Sequence, residues 1–208
     1  MSCCCDCVCW CCKVICALLG LLFTAGFAIL IYWAIFQPHQ IRATVDSATL
    51  SNLTVSNTSS VVSYNLAVNL SFYNPSVRVN IYYDSIDAQL RFRDAVLSPT
   101  ANSTASPAEF YQRRKTGDVV KLGFAATSGV EVAGDVAAEL EKEVRKNQGA
   151  AVELELDVDV RVRYVFRIFK LRQKPRVQCW LSIPVKAEGS GPGVGGVLES
   201  GDRCRVKY

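Results

Sequence analysis

Cys3, Cys4, Cys5, Cys7, Cys9, Cys11, Cys12 and Cys16 are eight of the ten cysteines in the chain, gathered in its first sixteen positions. Thiols this dense offer three chemistries. Next to a membrane they are the usual substrates of reversible S-acylation, and acylation of at least one is the preferred reading. Clustered thiolates also suit zinc or copper(I), but no histidine joins them and the two well-separated C-x-x-C pairs of a tetrahedral structural site are missing. The third reading is a tail of reduced thiols with no modification. A disulfide framework is disfavoured in a reducing cytosol.

The other two cysteines, Cys179 and Cys204, lie far downstream. Two leftover cysteines in an oxidising compartment usually pair, whereas a reduced pair would place their domain in the cytosol. Four Asn-x-Ser/Thr acceptors for N-glycosylation, Asn52, Asn57, Asn69 and Asn102, cluster in the same downstream part. Catalytic chemistry is poorly supplied. The one histidine is His39, outside the downstream domain, so a Ser-His-Asp or Cys-His site and a His-ligated metal centre have no basis there. Asp84 with Asp87, and Asp157 with Asp159, are the nearest approach to paired carboxylates, and the second pair reads as a solvated strand face. No phosphate-binding glycine loop occurs. The expectation is a non-enzymatic protein with no cofactor.

These groups need positioning, and the element that sorts them is the uncharged run Val14–Phe36. As a helix at ~1.5 Å per residue it is about 34 Å long, enough for the ~30 Å hydrocarbon core of a bilayer. Its apolar length exceeds that of a cleavable signal peptide; Tyr32, Trp33 and Phe36 suit headgroup depth, and Pro38 ends the helix. Flanking charge is indecisive, since Lys13 competes with Arg42. The acceptor asparagines and the late cysteine pair decide the orientation: residues 1–13 a cytosolic cysteine-rich tail, 14–36 a transmembrane signal anchor, 41–208 an extracellular or lumenal domain.

Beyond residue 40 lie all but one of the 23 Lys and Arg and all but one of the 19 acids, a balance that argues against nucleic acid. The hydrophobic period there is two. Ile41, Ala43 and Val45 begin a first strand with an irregular end. Tyr64, Leu66, Val68, Leu70 and Phe72 alternate with polar residues and place Asn69 outward. Val77, Val79, Ile81 and Tyr83 share a face, followed by a shifted phase through Ile86, Ala88, Leu90 and Phe92. Val119–Ala125 is a short strand, and Val136, Leu140 and Val144 stripe one short helix behind Asp135. Val152–Tyr164 alternates strictly over thirteen residues, a pattern no helix can present as one apolar face. A last strand runs Val177–Val185, with the glycine-rich stretch Gly189–Gly196 expected as a flexible loop. Ser98–Ala108 is expected as another loop, carrying Asn102. In all, about seven strands and one helix predict an antiparallel β-sandwich, compatible with a fibronectin III-like arrangement.

Basic residues interleaved with apolar ones, Arg167, Lys170, Arg172, Lys174 and Arg176, suit either an ordinary charged edge strand or contact with anionic headgroups or an acidic cell-wall polymer.

The run FYNPSVRVNIYYDSIDAQLRF, with Asn74, Pro75, Ile81, Tyr82, Tyr83 and Asp84, resembles a block of the plant harpin-induced-like (non-race-specific disease resistance) membrane proteins, which carry the late embryogenesis abundant group 2 domain. Phe110-Tyr111-Gln112 before a basic cluster, and Arg161-Val162-Arg163-Tyr164 at a strand end, resemble further blocks of that family; Ser76 stands where the family often has a second Asn. The resemblance implies the same sandwich and a role in plant defence or stress response at the plasma membrane. It implies association with membrane proteins, self-association included, rather than catalysis. A domain that binds lipid or tethers membranes is the alternative; it would need an unfilled apolar groove between the sheets.

Overall fold

The structure, a computed structural model, describes residues 3–36, 40–56, 60–98, 103–146, 151–166, 169–187, 193–201 and 203–208. The chain forms two compact units, residues 1–38 and 39–208. Of the residues singled out in the sequence, Asn57, Asn102, Pro38, His39, Arg167 and the side chains of Tyr32, Trp33 and Phe36 lie outside the described set.

In the first unit, α1 (Cys3–Phe36) is one helix of 34 residues. It begins at Cys3 rather than Val14: neither proline nor glycine interrupts the cysteine stretch, so the helix runs through it. Cys12–Ile31 is long and apolar enough to cross a membrane, and none of it is buried. The run is apolar on every face, which suits a lipid surround better than an amphipathic berth on a protein.

In the second unit the strands are β1 (Arg42–Ser56), β2 (Val61–Tyr73), β3 (Asn80–Phe92), β4 (Ala95–Ser98), β5 (Ser103–Ser106), β6 (Phe110–Gln112) and β7 (Gly117–Glu131), followed by helix α2 (Gly134–Lys146) and then β8 (Ala151–Phe166), β9 (Phe169–Gln173), β10 (Arg176–Pro184), β11 (Lys186–Ala187), β12 (Val194–Leu198) and β13 (Arg205–Lys207). The first sheet is ordered β11-β12-β1-β2-β7-β5 and the second β13-β10-β8-β3-β4, with β6 on β3 and β9 on β8. Every pairing is antiparallel. The inner faces of both sheets contribute to one buried apolar cluster, in which Tyr64, Phe72, Leu156 and Val160 are each at most 2% exposed.

Among the described residues there are thirteen strands, not about seven, because the short ones carry little apolar pattern. The glycine-rich stretch is the clearest correction. Its described part holds β12, paired with β1 through Ala48 and Leu198, Leu50 and Gly196. A Cβ on Gly196 would run into the Pro184 carbonyl, so the glycine serves close packing rather than flexibility. Likewise Ser103–Ser106, expected within a loop, pairs with β7, where Gly123 leaves room for the Thr104 side chain opposite it. Val77 is 56% exposed in the bend before β3 and does not share the inner face of Val79, Ile81 and Tyr83.

The phase shift in β3 has a register cause: pairing with β8 steps from Tyr83 opposite Val162 to Ser85 opposite Arg161, which returns Ile86 and Ala88 to the core. On β8 the alternation holds, with Val152 through Tyr164 buried on the inner side. Asp157, expected to be solvated on the outer side, is only 9% exposed. It lies between Gln89 of β3 and Gln178 of β10, with Arg91 Nη1 at 3.4 Å from its Oδ2. In α2, Asp135 sits in the first turn, and Leu140 is buried with Val136 and Val144 packed beside it.

Candidate functional site

Three stretches meet at one end of the sandwich, two of them neighbours in sequence and the third further along the chain. The first is the turn after β2. Pro75 has no N–H and holds its predecessor in extended geometry, so Asn74 cannot continue the ladder regularly. Asn74 is fully buried, and its backbone N–H and both ends of its side-chain amide are used. Its backbone N–H donates to Thr116 O at 3.0 Å, Nδ2 donates to Val79 O at 2.9 Å and to Arg113 O at 3.2 Å, and Oδ1 accepts from Ser76 N–H at 3.0 Å. Ser76 Oγ in turn accepts from Val79 N–H at 3.1 Å, so a serine serves where the resembling family often has Asn.

The second and third stretches are Ile81–Asp84 on β3 and Phe110–Gln112 on β6, which pair directly as Ile81 with Gln112, Tyr82 with Tyr111 and Tyr83 with Phe110. Alternation sends Ile81 and Tyr83 inward and Tyr82 and Asp84 outward. Inside, Tyr83 Oη donates to Gln112 Oε1 at 3.0 Å, and Gln112 Nε2 donates to Phe72 O at 2.8 Å. The Tyr83 ring stacks on Phe110 with centroids 4.2 Å apart. Burial, reinforced by Tyr208 and Asp118, pushes the Tyr83 hydroxyl far above its ordinary pKa. These groups are a lattice of satisfied hydrogen bonds with no proton to exchange at neutral pH.

Outside, the same strands present a ladder. Tyr82 and Tyr111, 39% and 44% exposed, lie with ring centroids 5.3 Å apart. The Arg163 guanidinium lies 5.1 Å from the Tyr82 ring centre and donates from Nε to Asp84 Oδ1 at 2.7 Å. That hydrogen bond holds Arg163 above its already high ordinary pKa. Arg172 of β9 stands opposite Arg163. The surface is rigid, aromatic and cationic, a combination over-represented at the energetic centres of protein interfaces.

The late cysteines are joined, Cys179 to Cys204. Cys179 is on β10 of the second sheet, and Cys204 N–H donates to Ala43 O of β1 at 2.9 Å, so the bridge fastens the two sheets together. Beside it, Tyr208 Oη accepts from Ile41 N–H at 2.8 Å and lies 3.2 Å from Tyr164 Oη. Burial, with that neighbouring hydroxyl, pushes Tyr164 well up.

Asn52 is exposed at positive φ, 53°, where the register of β1 shifts. Asn69 is half-buried mid-strand and donates from Nδ2 to Ser47 Oγ at 2.7 Å. Cys12 and Cys16 are free and exposed, one helical turn apart. The backbone of Cys3, Cys4, Cys5, Cys7, Cys9 and Cys11 is helical, and their side chains lie outside the described set. Among the described residues, no group of three or more His, Cys, Asp or Glu is placed to hold a metal. Sequence reasoning missed three participants. Gln112 and Arg163 were legible only as parts of motifs, Arg163 also as one of several outward charges, and Tyr208 carried no signal at all.

Comparison with known proteins adds an independent line. The chain is 28% identical over 184 residues to NDR1/HIN1-like protein 3 of Arabidopsis thaliana, covering 88% of this chain and 74% of that one. To NDR1/HIN1-like protein 10 of the same plant it is 27% identical over 163 residues, 78% of this chain and 68% of the relative. NDR1/HIN1-like protein 1 matches a shorter stretch, 31% identical over 91 residues, 43% of this chain and 44% of the relative. No family model matches the chain. Over most of its length, the chain is a homologue of the NDR1/HIN1-like proteins.

Proposed function

We propose that the protein is a non-enzymatic component of plant defence or stress response, held in the plasma membrane by α1, which displays its sandwich outside the cytosol and works by associating with membrane proteins. The homology supports the defence or stress role. The apolar helix and the Cys179–Cys204 bridge support a tethered domain on an oxidising side. We assign the sandwich to the late embryogenesis abundant group 2 type on the resemblance of its motifs.

The observation that carries the association reading is the exposed ladder of Tyr111, Tyr82 and Arg163, fixed from beneath by Tyr83 and Gln112. Rigid aromatic and guanidinium groups lose little conformational freedom on contact, so each contributes strongly when covered. The lipid-binding alternative meets a core already filled by Tyr64, Phe72, Leu156 and Val160. The test is in-cell cross-linking of the intact membrane protein. The Tyr82→Ala/Tyr111→Ala variant is expected to lose its cross-linked partners while keeping its membrane fraction. An unchanged cross-linking pattern would count against the ladder as the contact.

A further inference from the structure

A second feature of the outer face involves different residues. Between β3, β8, β10 and β13 lies an open cleft of about 810 Å³. Four cationic side chains line it, Arg161, Lys174, Arg176 and Lys207, against two carboxylates, Asp87 and Asp159. Asp159 is already engaged by Arg176, Nε to Oδ1 at 2.8 Å and Nη2 to Oδ2 at 3.4 Å. Among the described residues, Arg161, Lys174 and Lys207 form no ion pair. The cleft therefore holds four cationic side chains against two carboxylates, a positive excess that Asp87 offsets only in part.

Its other walls narrow the ligand. Asp87 and Gln89 supply hydrogen-bond acceptors in the same cleft. Tyr208 also lines it, half-exposed, with its hydroxyl fixed to Ile41 N–H and beside Tyr164, so the ring is immobilised as a flat wall. Cations for an acid group, acceptors for hydroxyls and a fixed aromatic ring for a sugar face are the complement of one ligand class. We propose that this cleft binds an acidic carbohydrate, a chain of hydroxyl-bearing rings each carrying one carboxylate. A densely charged phosphate ligand or an acidic peptide fits less well, because Asp87 repels the charge and neither supplies the array of hydroxyls. The site shares Lys174 and Arg176 with the basic run but not Lys170 or Arg172, and it does not rest on the association reading, since none of its residues belongs to the tyrosine ladder.

The test is titration calorimetry on the full chain in detergent at low salt, with tri-galacturonic acid as probe. Neutral maltotriose, hexaglutamate and inositol hexakisphosphate are the comparators. The uronate is expected to bind more tightly than all three. Lys174→Gln/Lys207→Gln, both exposed positions, is expected to weaken it by about tenfold or more, and Lys170→Gln/Arg172→Gln by much less. Asp87→Asn separates recognition from mere charge. If Asp87 accepts a sugar hydroxyl, the variant binds the uronate more weakly, whereas a purely electrostatic cleft binds it more tightly. No uronate binding at millimolar concentration, equal or tighter binding of hexaglutamate or inositol hexakisphosphate, indifference to the lysine changes, or tighter binding by Asp87→Asn would each overturn the proposal.

Discussion

Gln112 shows how one side chain decides the local order. It is fully buried, and both ends of its amide are committed, to Tyr83 Oη and to Phe72 O. Gln112→Ala takes the amide from that buried hydroxyl and that carbonyl, and at about 1–3 kcal/mol for each orphaned group the expected loss of unfolding stability is about 2–6 kcal/mol. Urea unfolding measures it, and a loss under about 1 kcal/mol would show that water or a relaxed backbone replaces the amide. Tyrosine ionisation gives a second prediction. Tyr83 and Tyr164 hold their protons more tightly in the folded state than the ordinary tyrosine value of 10.0. Their contribution is therefore complete below pH ~10 and is lost as pH rises beyond it, since the unfolded chain ionises first. Stability should fall with pH above ~10, and less steeply in Tyr164→Phe. An equal slope in that variant would place the alkaline transition elsewhere. At this scale the sequence was partly legible: alternation predicts Tyr83 inward and Tyr82 outward, but nothing local says that Gln112 or Tyr208 will meet them across the sheet.

The elements follow the same division. Long strands such as β2 and β8 were readable because one buried face repeats every second residue for many positions. The short strands β5, β12 and β13 were not, because their pairing is set by partners and by glycine clearance rather than by an apolar pattern. The burial of Asp157 escaped notice for a related reason: a central strand is covered by its neighbours even on its outer face. The bridge between Cys179 and Cys204 was expected, and its place between the sheets was not. With a sequence separation of 25, loop closure alone assigns it about 3.5 kcal/mol. Cys179→Ala/Cys204→Ala should lose about that much in chemical unfolding, and protection of the Ala43 carbonyl's partner, the residue-204 amide, should fall in hydrogen exchange. Loss of less than about 1 kcal/mol would mean that Tyr208 and β13 hold the sheets without the bridge.

The whole molecule joins two solvents' worth of sequence. An all-round apolar helix gains nothing from water, whereas the sandwich, with charges outward and one filled core, gains nothing from lipid. The acceptor asparagines, the joined cysteines and the tyrosine ladder belong to the second unit, and the cysteine cluster to the first. The proposed role depends on the cysteine-rich stretch facing the cytosol and the sandwich facing the outside of a plasma membrane. Protease added to intact cells, with epitope tags at both ends of the chain, examines that directly. The account predicts that the sandwich and the carboxyl-terminal tag are digested while a fragment carrying the amino-terminal tag and α1 survives. A sandwich that remains intact until the cells are permeabilised would contradict it.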